Sequence, residues 1–345
     1  MSVCRVAVLV LAVVVVRAPG AATRSDPFAF WQPSISVTET DRRRLERGEP
    51  VAHALPASGR EIAIFAAQPV RADGDRLVAW MQQIEALKQS RYVLAISRFS
   101  DPPQLADLAR LTLDENDLSA IAECTPGDCS LKLTAPEMTR FQSVLREAGT
   151  NWKPAVQDGF RQVVLERVEA YLAGGLAALA PYANTSRPVS PDVHFARLVQ
   201  HSPFLAARLP KVVGVLTGFP AVWLPRRQWF LYWSKERFNG KAIVRATHVI
   251  IVRGTEPGEP DALVFGKEVF ATHYLNASLG VTAIVRAEPE SMSYLVYMNR
   301  SDVDLVRGPF GGLVRKVIKD RLKTESKSVL QGLRQRLESG DPPQE

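Results

Sequence analysis

Trp229–Phe238 reads WFLYWSKERF. Four runs of the same kind follow: Ala242–Arg253 (AIVRATHVIIVR), Leu263–Tyr274 (LVFGKEVFATHY), Val281–Ala287 (VTAIVRA) and Tyr294–Arg300 (YLVYMNR). Val, Ile, Phe, Tyr and Thr dominate them, side chains that fit a pleated, half-buried surface. Polar or Gly/Pro breaks separate them: Asn239-Gly240, Gly254–Pro260, Asn276–Gly280 and Glu288–Ser293. That spacing predicts an antiparallel meander. Gly308-Pro309 and Gly311-Gly312 then end the strand pattern. Leu313/Val314, Val317/Ile318, Leu322, Val329/Leu330, Leu333 and Leu337 recur every three or four residues. They predict a helix of about seven turns over Pro309–Glu338, apolar along one stripe. A curved sheet with such a helix across its concave face leaves a space between the two. The expected fold is α+β: an antiparallel curved sheet gripping a long C-terminal helix.

Upstream, Glu61–Val70 reads as a strand and Tyr92–Phe99 as another. Asp73 caps a helix between them, reaching about Gln89, with Leu77, Trp80/Met81, Ile84 and Leu87 on one side. Residues 57–100 are thus a strand–helix–strand opening of the same domain that resumes at 225–338. Between them, 101–224 is mostly helical. Thr112 with Glu115 predicts a capped start for Glu115–Ala122. Pro136–Ala148, Pro154–Ala180, Pro191–Leu209 and Lys211–Gly218 are further helices, with Gly174-Gly175 weakening the longest near its end. Residues 23–56, with Pro33, Pro50 and Pro56, read as an extended lead-in holding one short helix around Glu39–Glu49. Ser339–Glu345 reads as a disordered tail.

Arg5, the eleven consecutive apolar residues Val6–Val16 and the small residues around Ala18–Ala22 describe a secretory signal peptide over 1–22. Eleven residues are short for spanning a bilayer, so an uncleaved anchor is the weaker reading. Beyond the leader only Cys124 and Cys129 remain, flanking Pro126-Gly127. A tight turn there brings the sulfurs within bonding reach, and in an oxidising compartment a local disulfide is expected. The protein is expected to be exported, periplasmic or secreted. Hydrophobic residues at 46% and charged residues at 23% are ordinary globular values, which sets disorder aside. The net charge of +7 favours anionic surfaces, and a transient membrane-surface contact is one expectation. The charge is too dispersed to predict nucleic-acid binding.

Trp229, Leu231 and Trp233 point to one face of their strand and Phe230, Tyr232 and Ser234 to the other. Both faces are aromatic, which predicts cover on both sides. Most of the row reads as core, with Tyr232 and Trp233 as candidate pocket walls. Lys235 and Glu236 fall on opposite faces. His248 lies among Val244, Ala246, Ile250 and Val252, where a histidine is more often a hydrogen-bonded core residue than a base. His273 follows on the next strand. With Glu268, the two histidines could share a metal or form an acid–base pair. No local spacing matches a metal motif, so neither metal nor cofactor is expected. No phosphate loop, dinucleotide fingerprint or nucleophile elbow is present.

The element order resembles the START-like helix-grip fold, the SRPBCC superfamily. Cys124–Leu133, Phe230–Glu236, Thr247-His-Val249 and Thr272–Gly280 also resemble a group of uncharacterised exported bacterial proteins. The first resemblance implies a hydrophobic or lipid-like ligand held between sheet and helix. Tyr232, Trp233, Arg245, His248, Glu268 and His273 are the candidate contacts. The alternatives are an envelope interaction protein without ligand, or a hydrolase using a His/Glu pair. The helical insertion at 101–224 is a departure from that fold: it would either leave the cavity open, cap it or fill it.

Overall fold

Among the described residues, eight antiparallel strands form one curved, unclosed sheet in the order β1-β2-β8-β7-β6-β5-β4-β3. This computed structural model describes residues 26–222, 228–238, 240–256, 258–286, 292–306 and 311–342. The expected signal peptide and residues 343–345 of the expected tail lie outside them. The strands are β1 (Val51–Ala54), β2 (Glu61–Val70), β3 (Val93–Arg98), β4 (Trp229–Phe238), β5 (Lys241–Arg253), β6 (Ala262–Ala271), β7 (Leu275–Arg286) and β8 (Ser293–Val303). The quoted runs supply strands β4 to β8, because alternation buries both faces, with two corrections: residues 272–274 lie beyond the end of β6, and residues 276–280, expected as a break, belong to β7 because they pair with β8. The lead-in holds more structure than an extended segment. Thr38 closes a capping box on α1 (Glu39–Glu46) and β1 pairs with β2. Phe28, Phe30 and Trp31 are in the core.

One sheet face carries α2 (Gly74–Gln82), α3 (Ile84–Lys88) and the C-terminal helix α10 (Gly311–Glu338). The helix capped by Asp73 is broken at Gln83, so it forms two pieces rather than one. Phe230, Tyr232, Val249, Ile251, Val264 and Leu295 meet them on this face. Leu330 and Leu337 anchor the second half of α10 there. Gly340, within the expected tail, accepts a hydrogen bond from Trp80 Nε1 at 3.0 Å.

The insertion covers the other face. It comprises α4 (Glu115–Glu123), α5 (Ala135–Ala148), α6 (Trp152–Gly174), α7 (Pro191–Gln200), α8 (Pro203–Arg208) and α9 (Pro210–Gly218). Leu231, Trp233, Ala246, Ile250, Phe265 and Met298 join it in a single core. The insertion therefore neither caps nor fills the space under α10. Asp114, not Thr112, is the N-cap of α4. A bulge in the β5–β6 pairing puts Thr247 opposite Glu268 but Ala246 opposite Phe270. Val269 is the extra residue, so Val269 and Phe270 both serve the insertion's core while Glu268 keeps to the opposite face.

Cys124 and Cys129 are disulfide-bonded, as the turn predicts, with Cα atoms 4.5 Å apart. Gly127 takes φ +95°, a conformation that glycine adopts without strain. The hairpin is docked by Gly127 N–H on Ala183 O and Cys129 N–H on Asn184 O. Closing so short a loop is worth about 2 kcal/mol in the chain-entropy account. Replacing both cysteines by serine is expected to lower unfolding stability by that amount in urea. An unchanged midpoint would show that the docked hairpin holds without the bridge.

Candidate functional site

A cavity of about 180 Å³ lies between the sheet and the first half of α10. Ile62, Ile64, Ile243 and Val303 of the strands and Ile318 and Leu322 of the helix supply its apolar walls. The strand residues point inward because they share one parity of the pleat. Ser278, Asn299, Ser301 and Ser326 also line it. The first three satisfy one another, with Ser278 and Ser301 hydroxyls 2.9 Å apart and Ser301 donating to Asn299 Oδ1 at 2.8 Å, while Ser326 donates to Leu322 O at 2.6 Å.

Arg245, Glu236 and Tyr297 line the same cavity and lead into a charged cluster. Lys88 Nζ, at the end of α3, donates to Glu236 Oε1 at 2.5 Å and to the Tyr232 hydroxyl at 3.2 Å. Ser234 donates to the same Glu236 oxygen at 2.7 Å. Arg245 Nε donates to Glu268 Oε2 at 2.8 Å, and its Nη1 lies 3.7 Å from Glu236 Oε2. Two cations thus face two carboxylates. Burial works against the Glu236 charge, but Lys88 and Arg245 overcome it and hold the carboxyl down at about 2. For Glu268 burial wins, raising its pKa despite the contact with Arg245. One carboxyl is therefore a firm anion and its neighbour is the readier proton donor, an arrangement able to fix a polar head at one end of an apolar slot.

The six candidate residues do not converge. Tyr232, Arg245 and Glu268 meet in this cluster. Trp233 faces the insertion and donates Nε1–H to Asp107 O at 2.8 Å, a core role. His248 also faces the insertion, with Nδ1 2.7 Å from the Tyr171 hydroxyl. His273 lies beyond the end of β6, with Nδ1 2.8 Å from Ser130 O and Nε2 3.1 Å from Asp117 Oδ1. Neither histidine meets Glu268: Lys267, not Glu268, is the cross-strand partner of His248. Among the described residues, no group of three or more His, Cys, Asp and Glu side chains could hold a metal ion.

Lys88 and Glu236 complete the charged cluster, and neither stands out in the sequence. Glu236 has the same parity in β4 as Tyr232, and that is the available signal. Lys88 reaches it from α3, which sequence spacing does not show. Two other histidines dock α7 on the sheet. His201 Nδ1 lies 2.5 Å from Glu61 Oε2 and His194 Nδ1 2.9 Å from Asp302 Oδ2. Glu61 and Asp302 are themselves cross-strand partners. Arg300 pairs with Glu61, and Arg60 Nε lies 3.4 Å from Asp302 Oδ1. No protein-family model matches the chain, and no curated protein matches it either.

Proposed function

We propose that this protein is exported and holds a small amphipathic, lipid-like molecule between the sheet and α10. The cavity carries this reading: apolar walls run into a cluster of fixed charges, the two-part lining an amphipathic ligand needs. The disulfide fits an oxidising compartment. Among the described residues no helix is long and apolar enough to cross a membrane. Binding draws on removal of ligand surface from water, at roughly 25 cal/mol per Å² of apolar area. Arg245, Tyr232 and Glu268 orient the head.

The volume limits the cargo. At about 180 Å³ it is below the roughly 300–1,000 Å³ of drug-sized pockets. A short-chain molecule, or the end of a longer one, is the expected occupant. Native mass spectrometry of residues 23–345, followed by solvent extraction of the same sample, tests this. A released lipid-like mass supports the reading and names the cargo. A clean apo mass that persists after incubation with lipid extracts sinks it and favours an envelope interaction role. Ile318→Trp is expected to fill the slot from the helix side, removing bound mass while lowering the unfolding free energy by no more than about 1–3 kcal/mol. Ligand retained at full occupancy in that variant would place it elsewhere.

A further inference from the structure

We propose that Lys267 is the amine of a second site, on the opposite sheet face from the cavity, which captures a small apolar aldehyde or ketone as an imine. Lys267 sits in the middle of β6 and is 2% exposed. Among the described residues no carboxylate approaches it. Its Nζ donates to Leu216 O at 2.7 Å and otherwise faces the rings of Phe195 and Tyr171, 4.9 and 5.1 Å from their centroids. A charged ammonium in such surroundings is costly, whereas a free amine is not, and a free amine is a nucleophile.

His248 lies directly across the strand pair from Lys267 and on the same face. It is fully buried, and its Nε2 has no hydrogen-bond partner. Its Nδ1 is held by the Tyr171 hydroxyl at 2.7 Å, which fixes the ring. The outer wall is Phe219 and Trp229, both half-buried, with ring centroids 4.7 and 5.2 Å from that of His248. Gly175 permits this wall: a Cβ there would lie 2.2 Å from Phe219 O. The site thus joins a nucleophile, an unengaged imidazole nitrogen and a surround of aromatic rings.

The chemistry balances without an oxidant or reductant. The Nζ lone pair bonds to the carbonyl carbon and the C=O π pair moves to oxygen. One Nζ proton passes to that oxygen, while His248, kept a neutral imidazole by burial, offers Nε2 as the acceptor that orients the amine. The hydroxyl leaves as water with the second Nζ proton, and the C=N bond remains. Burial lowers the Lys267 pKa to about 7. A large share of its side chains is then free amine at pH 7, against roughly one in 2,500 for an ordinary lysine.

The test is reductive trapping: the full chain with benzaldehyde and sodium cyanoborohydride at pH 7, followed by peptide mapping. Lys267 is expected to be benzylated at least tenfold faster than any other lysine, at a rate that falls as pH drops through about 7. His248→Gln is expected to slow the adduct about tenfold. Lys267→Met is expected to abolish it while circular dichroism stays unchanged. Label spread over surface lysines with Lys267 unmodified overturns the proposal. So does modification of Lys267 only after unfolding in urea.

Discussion

Lys267→Met is expected to make the protein more stable, by roughly 2–4 kcal/mol at pH 7. The folded chain holds this lysine at about 7, below its ordinary 10.5, because burial disfavours the charge. Each pKa unit is worth about 1.4 kcal/mol, so the shift alone would be about 5 kcal/mol. The bond to Leu216 O and the two ring contacts return part of that. The sign follows from proton counts. Between about 7 and 10.5 the unfolded chain binds the proton and the folded chain does not, so wild-type stability rises with pH there. The advantage of the methionine variant is full below about pH 7, shrinks through that window and vanishes above it. Urea unfolding of both proteins at pH 6.5, 8.5 and 10.5 measures it. A methionine variant less stable at pH 6.5, or a difference that ignores pH, would mean the amine is charged and well compensated.

The opposite outcome is expected for Glu236→Gln, a loss of about 3–5 kcal/mol. Its carboxylate is the group between Lys88 and Arg245, and without it the two cations face each other with only Glu268 to offset them. The side chain is about one-fifth exposed, so cavity water softens the effect rather than removing it. Here the folded pKa is depressed, to about 2 from an ordinary 4.5. The stability it contributes is present above pH 4.5 and is lost as pH falls through about 2. Tryptophan fluorescence through an acid titration would follow this. A variant that unfolds at the same urea concentration as wild type, with the same acid limb, would show that water already screens the pair.

Much of the fold could be read from the chain because its strands are long and alternate. Glu61–Val70 and Trp229–Phe238 fall where their residues predict, since both parities of each find a buried face. The long helix ends at Gly174, where Gly174-Gly175 weakens it. What escaped depends on contacts distant in sequence. β1 is four residues long and becomes a strand only by pairing with β2. Thr247, not His248, lies opposite Glu268, so alternation along β5 puts Glu268 on the face of Arg245 and away from His248. The His/Glu pair does not form for that reason: pleat parity separates His248 from Glu268, and His273 lies beyond the end of β6. Lys267 has a readable signal of its own, a lysine at an inward-facing position of the run LVFGKEVFA.

The sheet order has a consequence for how the chain is made. β2 lies between β1 and β8, with Glu61 opposite Asp302, about 240 residues away in sequence. At translation rates of about 5–20 residues per second, the partner edge of β2 is synthesised roughly 10–50 seconds after β2 itself. Throughout that interval one edge of an apolar strand offers unpaired N–H and C=O groups to any other extended segment. The nascent chain therefore needs a holder, or an unfolded journey to another compartment, before its last strand closes the gap.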